Sequence, residues 1–212
     1  MDSIILASAS PRRRELLSQI GIEYEVVPSK KEEVVTSTIP SEIVMELAKQ
    51  KAEDIAMQVG HPGKIVLGAD TIVAQNGEVM GKPADEQDAF SMISKLQNNT
   101  HQVYTGVSIS FMKEDGAVFS HVFYEETHVL VYPMTKEEIW SYVRSKASTS
   151  SSKVSKWDSQ RAPYECEDKA GAYGIQGSFA AYIKGIQGDY NNVVGLPIGR
   201  VYQELKKISL TL

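Results

Sequence analysis

Ser8, Ser10, Arg12, Arg13 and Arg14 stand together in the run SASPRRR, directly behind the apolar segment Ile4-Ile5-Leu6. Two hydroxyls and three guanidinium forks at that spacing suit an anion, and a phosphate chain has enough oxygens to engage them together. Ser10 is a preferred helix N-cap and Pro11 is pre-organised for the first helical position, so the arginines fall in a first turn. The helix dipole opposes cations there unless an anion lies beside them; the plainer alternative is a solvated basic turn. Asp70 interrupts the otherwise apolar run 65–74, and a carboxylate in such a place has either a task, such as taking a proton, or a local turn bond to its own backbone. Lys82 lies between Gly81 and Pro83, beyond a hairpin signal at Asn76-Gly77 that folds it back beside the Asp70 strand. Carboxylate and ammonium could then meet at one cleft, although a turn lysine alone reads as solvent-exposed. In Asp168–Gly177 the glycines allow close backbone approach, Lys169 offers a cation, and Gln176 offers an amide that donates and accepts. Such an amide suits a nucleobase edge as well as a structural role.

The elements that must carry these groups follow from hydrophobic period. Ile4–Leu6 and Tyr24–Val27 read as strands around a helix over 11–20, followed by the charged run Lys30-Lys31-Glu32-Glu33. Val44, Leu47, Ala48, Ala52, Ile55 and Val59 recur at helical spacing up to a stop at Gly60. A buried strand over 65–74 leads through Asn76-Gly77 to Glu78-Val79-Met80, and Asp85 caps a helix carrying Ala89, Ile93 and Leu96. Two long strands, 101–112 and 117–131, meet at Asp115-Gly116, and Thr135 with Glu138 forms a capping box for a helix through Val143. Residues 145–163 are rich in serine and lysine and read as a flexible surface insertion within a single domain spanning 1–212; a last helix carries Ile198, Val201, Leu205 and Ile208.

Composition narrows the partners. With 42% hydrophobic and 23% charged residues, a 212-residue chain can bury a sizeable core, and its net charge of −5 argues against general nucleic-acid binding. A cluster of arginines in an acidic protein suggests a local pocket for a small anion. The single cysteine, Cys166, reads as an inert thiol. The N-terminus lacks a signal-peptide pattern and no apolar run approaches membrane-spanning length, so the expectation is a cytoplasmic protein with no membrane partner. The histidines show no metal-ligand spacing, and neither a Walker A sequence nor a Gly-x-Gly-x-x-Gly junction is present.

The segments LASASPRRRELL (6–17), LGADTIV (67–73), GKP (81–83), HQVYTGV (101–107), DKAGAYGIQG (168–177) and GDYNNVVGLPI (188–198) together resemble the Maf nucleotide pyrophosphatases, also called septum-formation proteins. Their order matches the family's and they span nearly the whole chain. The resemblance implies an α/β fold like that of inosine triphosphatase, a mixed twisted sheet flanked by helices with an active-site cleft. It implies hydrolysis of a nucleoside triphosphate to the monophosphate and pyrophosphate, a divalent cation (Mg²⁺ or Mn²⁺), and a homodimer. On that carry-over Asp70 is the proton acceptor that activates water, with Lys82 beside it in the catalytic centre. Ser8, Ser10, Arg12, Arg13, Lys82 and Lys169 bind or neutralise the triphosphate, and Glu33 joins Asp70 in holding the metal. Arg12, Thr71 and Gln176 match the selectivity positions of the branch that resembles dTTP and UTP pyrophosphatases, with modified pyrimidine nucleotides as further substrates. Two readings compete with this one: a nucleotide-binding regulator of cell division that does not hydrolyse, and a different hydrolase such as a phosphomonoesterase. The chain departs from the family pattern at Glu32-Glu33, where Asp-Glu is frequent, at Asn98, where glycine is usual and asparagine tolerates the left-handed region, and in the insertion at 145–163.

Overall fold

The computed structural model describes residues 3–146, 155–157 and 164–209. Within them seven strands form a mixed sheet of order β2-β1-β3-β5-β6-β7, with β4 paired to β3. β1 (Ile4–Leu6) is buried throughout and runs parallel to β2 (Tyr24–Val26) and β3 (Val66–Gln75). β4 (Glu78–Met80) returns antiparallel along β3, placing Met80 opposite Val73, through a turn in which Asn76 and Gly77 both have positive φ. β5 (Thr100–Met112) and β6 (Val118–Val131) are the long strands that period predicts, and β7 (Ile183–Gln187) pairs antiparallel with β6.

The chain divides into two compact units. The first is drawn from Met1–Thr71, Tyr104–Glu126 and Asp189–Leu212, and the second from Ile72–Val103 and Thr127–Gly188, so β3, β5 and β6 each contribute to both. In the first unit, α1 (Pro11–Gln19) follows β1 with Ser10 at its N-cap position, yet the Ser10 side chain makes no capping bond. α2 (Pro40–Val59) begins at Pro40, four residues before the apolar stripe, and ends at Gly60 in the left-handed region. It lies hard against the sheet: a Cβ on Gly68 would come 2.3 Å from the Ala48 carbonyl oxygen, and one on Gly106 would come 2.1 Å from that of Val44. No other residue leaves room for that approach. Residues 29–37 are laced along α2 rather than left as a free charged run. Ser29 donates to Asp54 (2.6 Å), Val34 exchanges two bonds with the Gln50 amide (3.0 and 2.6 Å), and Thr36 gives its N–H and hydroxyl to Glu46 (2.9 and 2.5 Å). The Thr36 bonds hold the Glu46 carboxyl below its ordinary range. α5 (Tyr190–Val194) and α6 (Ile198–Ser209) complete this unit.

In the second unit, Asp85 caps α3 (Glu86–Leu96) by accepting from the Asp88 N–H at 2.8 Å. The predicted capping box is present on α4 (Lys136–Val143), and the two helices meet through a Phe90–Trp140 stack with centroids 4.4 Å apart. Asn98 takes φ 51°, the conformation for which asparagine is the tolerated substitute for glycine. Of the serine-rich stretch, residues 147–154 and 158–163 lie outside the described residues. Inside it Ser155 is buried, unlike a surface-loop residue, because its hydroxyl donates to Glu167 at 2.7 Å. Cys166 is buried too, and burial pushes its thiol up to about 12, which keeps it the unreactive thiol that the sequence predicts. Among the described residues no helix is long and apolar enough to cross a membrane.

His101 of β5 is fully buried, with Nε2 2.7 Å from the Tyr173 hydroxyl and Nδ1 without a partner among the described residues. An imidazolium must donate from both nitrogens, and Nδ1 would face no acceptor. Burial accordingly pushes the His101 pKa down to about 4. Between the ordinary histidine value and about 4 the unfolded chain binds a proton that the folded chain refuses, so stability present above pH 6.5 is lost as pH falls towards 4. The loss from this group is about 3 kcal/mol. Urea unfolding followed from pH 7 to pH 4.5 should show that slope, and His101→Gln, whose amide can still meet the Tyr173 hydroxyl, should flatten it; parallel slopes would remove His101 as the source.

Candidate functional site

Arg13 is the buried member of the three arginines. Its side chain leaves the first turn of α1 and hydrogen-bonds across the first unit: Nε to the Gly195 carbonyl (2.8 Å), Nη1 to the Ser8 hydroxyl (2.9 Å) and Nη2 to the Thr71 hydroxyl (3.1 Å). All three of those acceptors are uncharged. Burial lowers the Arg13 pKa and the Arg12 charge lowers it further, while Asp70 and Glu33 act through space in the opposite sense. Three of the five guanidinium N–H groups are used, which leaves two to donate. Ser8 accepts twice, from Arg13 and from the Ser10 N–H at 3.3 Å, so both its lone pairs are taken and its proton is what it can offer. Ser10 and Arg12 are half-buried at the start of the same helix. Two free guanidinium N–H groups, a serine proton and a helix start are donors for an oxyanion.

Beyond Thr71 the hydroxyls form a small network: Thr71 and the fully buried Thr105 lie 2.9 Å apart, and two carbonyls accept from them, that of Asn192 from Thr105 (3.1 Å) and that of Gly195 from Thr71 (3.4 Å). Arg13 donates into this network at the Thr71 oxygen. Asp70 is the neighbouring residue on β3 and points to the face opposite Thr71, the face of Gly68. There it meets an ammonium, that of Lys51 on α2, at 2.5 Å. Lys51 also lies 3.0 Å from Glu33. The lacing of 29–37 along α2 is what brings Glu33 to this point. Two carboxylates therefore converge on one cationic centre. They are hard oxygen donors and suit Mg²⁺ or Mn²⁺, ions that take one or two protein carboxylates and complete their shell with water and phosphate oxygens. Among the described residues no cluster of three or more His, Cys, Asp or Glu side chains is placed to hold a metal.

In the second unit Lys82 is exposed just past β4, and its turn is tied to the 168–177 segment by the bond from the Gly171 N–H to the Gly81 carbonyl (3.0 Å). Lys169 is half-buried, with its ammonium on the Glu165 carbonyl oxygen and 2.7 Å from Asp168. Gln176 is exposed between buried Ile175 and half-buried Gly177, so its amide faces outward.

The family model described as "Maf-like protein" matches residues 3–208. The chain belongs to the Maf family. Relatives of high similarity carry the description "dTTP/UTP pyrophosphatase": one from Agathobacter rectalis is 48% identical over 221 aligned positions, covering 99% of both chains. Another, from Lachnoclostridium phytofermentans, is 45% identical over 212 positions, covering 100% of this chain and 98% of its own. Among solved structures, a HAM1 protein from Coxiella burnetii superimposes with a TM-score of 0.50 over 100% of both chains at 14% identity, a likeness of fold alone.

The candidate site residues sort by unit. Ser8, Ser10, Arg12, Arg13, Asp70 and Thr71 lie in the first unit with Glu33, and Lys82, Lys169 and Gln176 lie in the second. Sequence reasoning missed Lys51 and Thr105. Lys51 had a signal: it falls on the stripe of Val44, Ala48 and Ile55, where the helix faces the sheet, and a lysine on a core face needs a partner. Thr105 had none, since a threonine in a strand is ordinary.

Inorganic pyrophosphate tests the Arg13 centre directly. Saturating pyrophosphate should raise the unfolding temperature by on the order of 5–10 °C at a hundredfold excess over Kd. Arg13→Met should lose that shift and Arg13→Lys should keep part of it, whereas an undiminished shift in Arg13→Met would take Arg13 out of the anion site.

Proposed function

We propose that this Maf chain hydrolyses pyrimidine nucleoside triphosphates, dTTP and UTP first, to the monophosphate and pyrophosphate. The observation that carries the reading is the buried Arg13 guanidinium, held by neutral acceptors with two N–H groups still to donate, in a chain 48% identical over its length to a protein described as a dTTP/UTP pyrophosphatase. A buried cation surrounded by neutral groups gains most from an anion, and a triphosphate brings several charges. Relatives described as enzymes do not favour the division regulator that binds without hydrolysis.

In this reading Arg13, Ser8, Ser10 and Arg12 hold the phosphate chain, with Lys82 and Lys169 neutralising it further. Lys51 holds Asp70 through Oδ1, and the carboxylate takes a proton from water as that water attacks the α-phosphorus. The bond between the α- and β-phosphates breaks, pyrophosphate leaves, and the water oxygen stays on the monophosphate. The chemistry is positioning and charge neutralisation, as phosphoryl transfer requires. Glu33 and Asp70 would hold a divalent cation, which when bound supplies charge neutralisation at phosphate oxygens. Gln176 reads the base, because its amide can satisfy the O4 acceptor and N3–H donor of a pyrimidine. Thr71 contributes to selectivity through Arg13: its hydroxyl accepts from Arg13 and is hydrogen-bonded to the Thr105 hydroxyl. The reading includes a cytoplasmic enzyme, where its nucleotide pool lies, acting as a homodimer as the family resemblance implies.

Product analysis is the deciding experiment. With dTTP and Mg²⁺ or Mn²⁺, one pyrophosphate and one dTMP should form per turnover, and free orthophosphate as the primary product would sink the reading. Asp70→Asn should lower kcat by about 10²–10⁴-fold, the range for losing a positioned general base, with KM little changed. Undiminished pyrophosphate release by that variant would remove Asp70 from the proton transfer.

A further inference from the structure

Glu165 is a buried carboxylate with no part in the chemistry above, and it bonds one short stretch of chain at both ends. Its Oε1 accepts from the Ser178 N–H at 2.7 Å, and Oε2 accepts from the Ser178 hydroxyl at 2.7 Å and from the Ser145 hydroxyl at 3.4 Å. Its own backbone carbonyl takes the Lys169 ammonium. The residue therefore grips both ends of 169–178, the lysine at the start and the backbone just past Gln176 at the finish.

The glycines of this segment are shaped to those two contacts. A Cβ on Gly177 would stand 1.7 Å from Glu165 Oε1, so only glycine lets the carboxylate reach the Ser178 N–H. A Cβ on Gly174 would stand 2.6 Å from Lys169 Cε, so the lysine stem lies in the space that a side chain would fill. Between the two, Tyr173 and Ile175 are buried, the Gly174 N–H donates to the Tyr142 hydroxyl (3.3 Å), and Gln176 is the residue that faces out. A buried carboxylate is costly unless hydrogen-bonded, and these bonds offset that cost only while 177–178 stay in place.

We propose that Glu165 is a positioning residue: through its carboxylate it fixes the direction of the Gln176 amide, and through its carbonyl it fixes the Lys169 ammonium, so one buried group sets both base selection and phosphate neutralisation. This rests on the function proposed above and adds to it a residue that touches no substrate yet controls selectivity. Loss of the carboxylate frees the Gln176 backbone, and discrimination falls more than turnover does.

The test is the ratio of kcat/KM for dTTP over dGTP, with the unfolding temperature measured in parallel. In Glu165→Ala the ratio should fall by about tenfold or more, equivalent to losing one well-placed hydrogen bond, and KM for dTTP should rise more than kcat falls. Glu165→Gln should recover most of the ratio, because its amide oxygen can still accept from the Ser178 N–H and its amide N–H can donate to the Ser178 hydroxyl. Should Glu165→Ala fail to fold, Gly177→Ala and Ser178→Ala decide, the first pushing the carboxylate aside and the second removing one of its donors, both lowering the ratio. A folded variant with unchanged ratio and KM, or a loss of kcat equal for pyrimidine and purine substrates, overturns the inference. Wild-type protein that releases no pyrophosphate from any nucleotide overturns the functional reading itself, and that result is visible before a variant is made.

Discussion

The first unit is organised around a buried guanidinium. Arg13 connects α1 and the turn before it at Ser8 to β3 at Thr71 and the backbone at Gly195, the last two far away in sequence. Each bond is to a neutral acceptor, so the contacts satisfy the geometry of the fork without cancelling its charge. Taking a cation out of water is expensive, and through-space attraction from Asp70 and Glu33 offsets only part of that cost. In the function proposed above, that uncancelled charge is what the triphosphate meets. The network from Arg13 through the Thr71 and Thr105 hydroxyls to the Asn192 and Gly195 carbonyls extends the same constraint, since it ties β3 and β5 to the backbone beside Gly195.

A second constraint is the distance between α2 and the sheet. Gly68 and Gly106 let the helix backbone rest where any Cβ would collide, and Lys51 sits one turn beyond Ala48 while Asp70 sits two residues beyond Gly68 on the same strand face. The glycine and the ion pair are thus one device: the first sets the spacing that lets the second form. Residues 29–37, bonded to Asp54, Gln50 and Glu46 in turn, bring Glu33 to the same ammonium from the other side. In the second unit glycines again make room for charged groups, Gly174 for the Lys169 stem and Gly177 for the Glu165 carboxylate. At these four positions glycine marks where a charged group or a helix backbone must come close, whereas Gly21, Gly63, Gly77 and Gly116 serve turns that need positive φ.

Local chemistry was legible wherever a few neighbouring residues decide it. Pro11 after Ser10, the Thr135–Glu138 box, the Asp85 cap, the Asn76-Gly77 turn and the tolerance of Asn98 for positive φ all follow from bonds within a turn or two, and each appears where the residues predict. Even there Ser10 takes the N-cap position without a side-chain capping bond, and its own N–H donates to the Ser8 hydroxyl. The ordered Maf segments carried the family, and with it the residues worth placing, because six short motifs in one order constrain identity far more than any one of them.

What sequence by itself determined is therefore the inventory: an arginine-rich helix start, a strand carboxylate, two lysines beside glycines, and an outward amide in a glycine-rich segment. Tertiary structure decided the pairing. That Arg13 rather than Arg12 or Arg14 is buried, that Asp70 meets Lys51, that Thr105 bonds both Thr71 and the Asn192 carbonyl and that Glu165 grips 169–178 at both ends are consequences of long-range contacts. A hydrogen bond is satisfied by whichever donor the folded chain brings within about 3 Å, and spacing along the chain does not encode that distance.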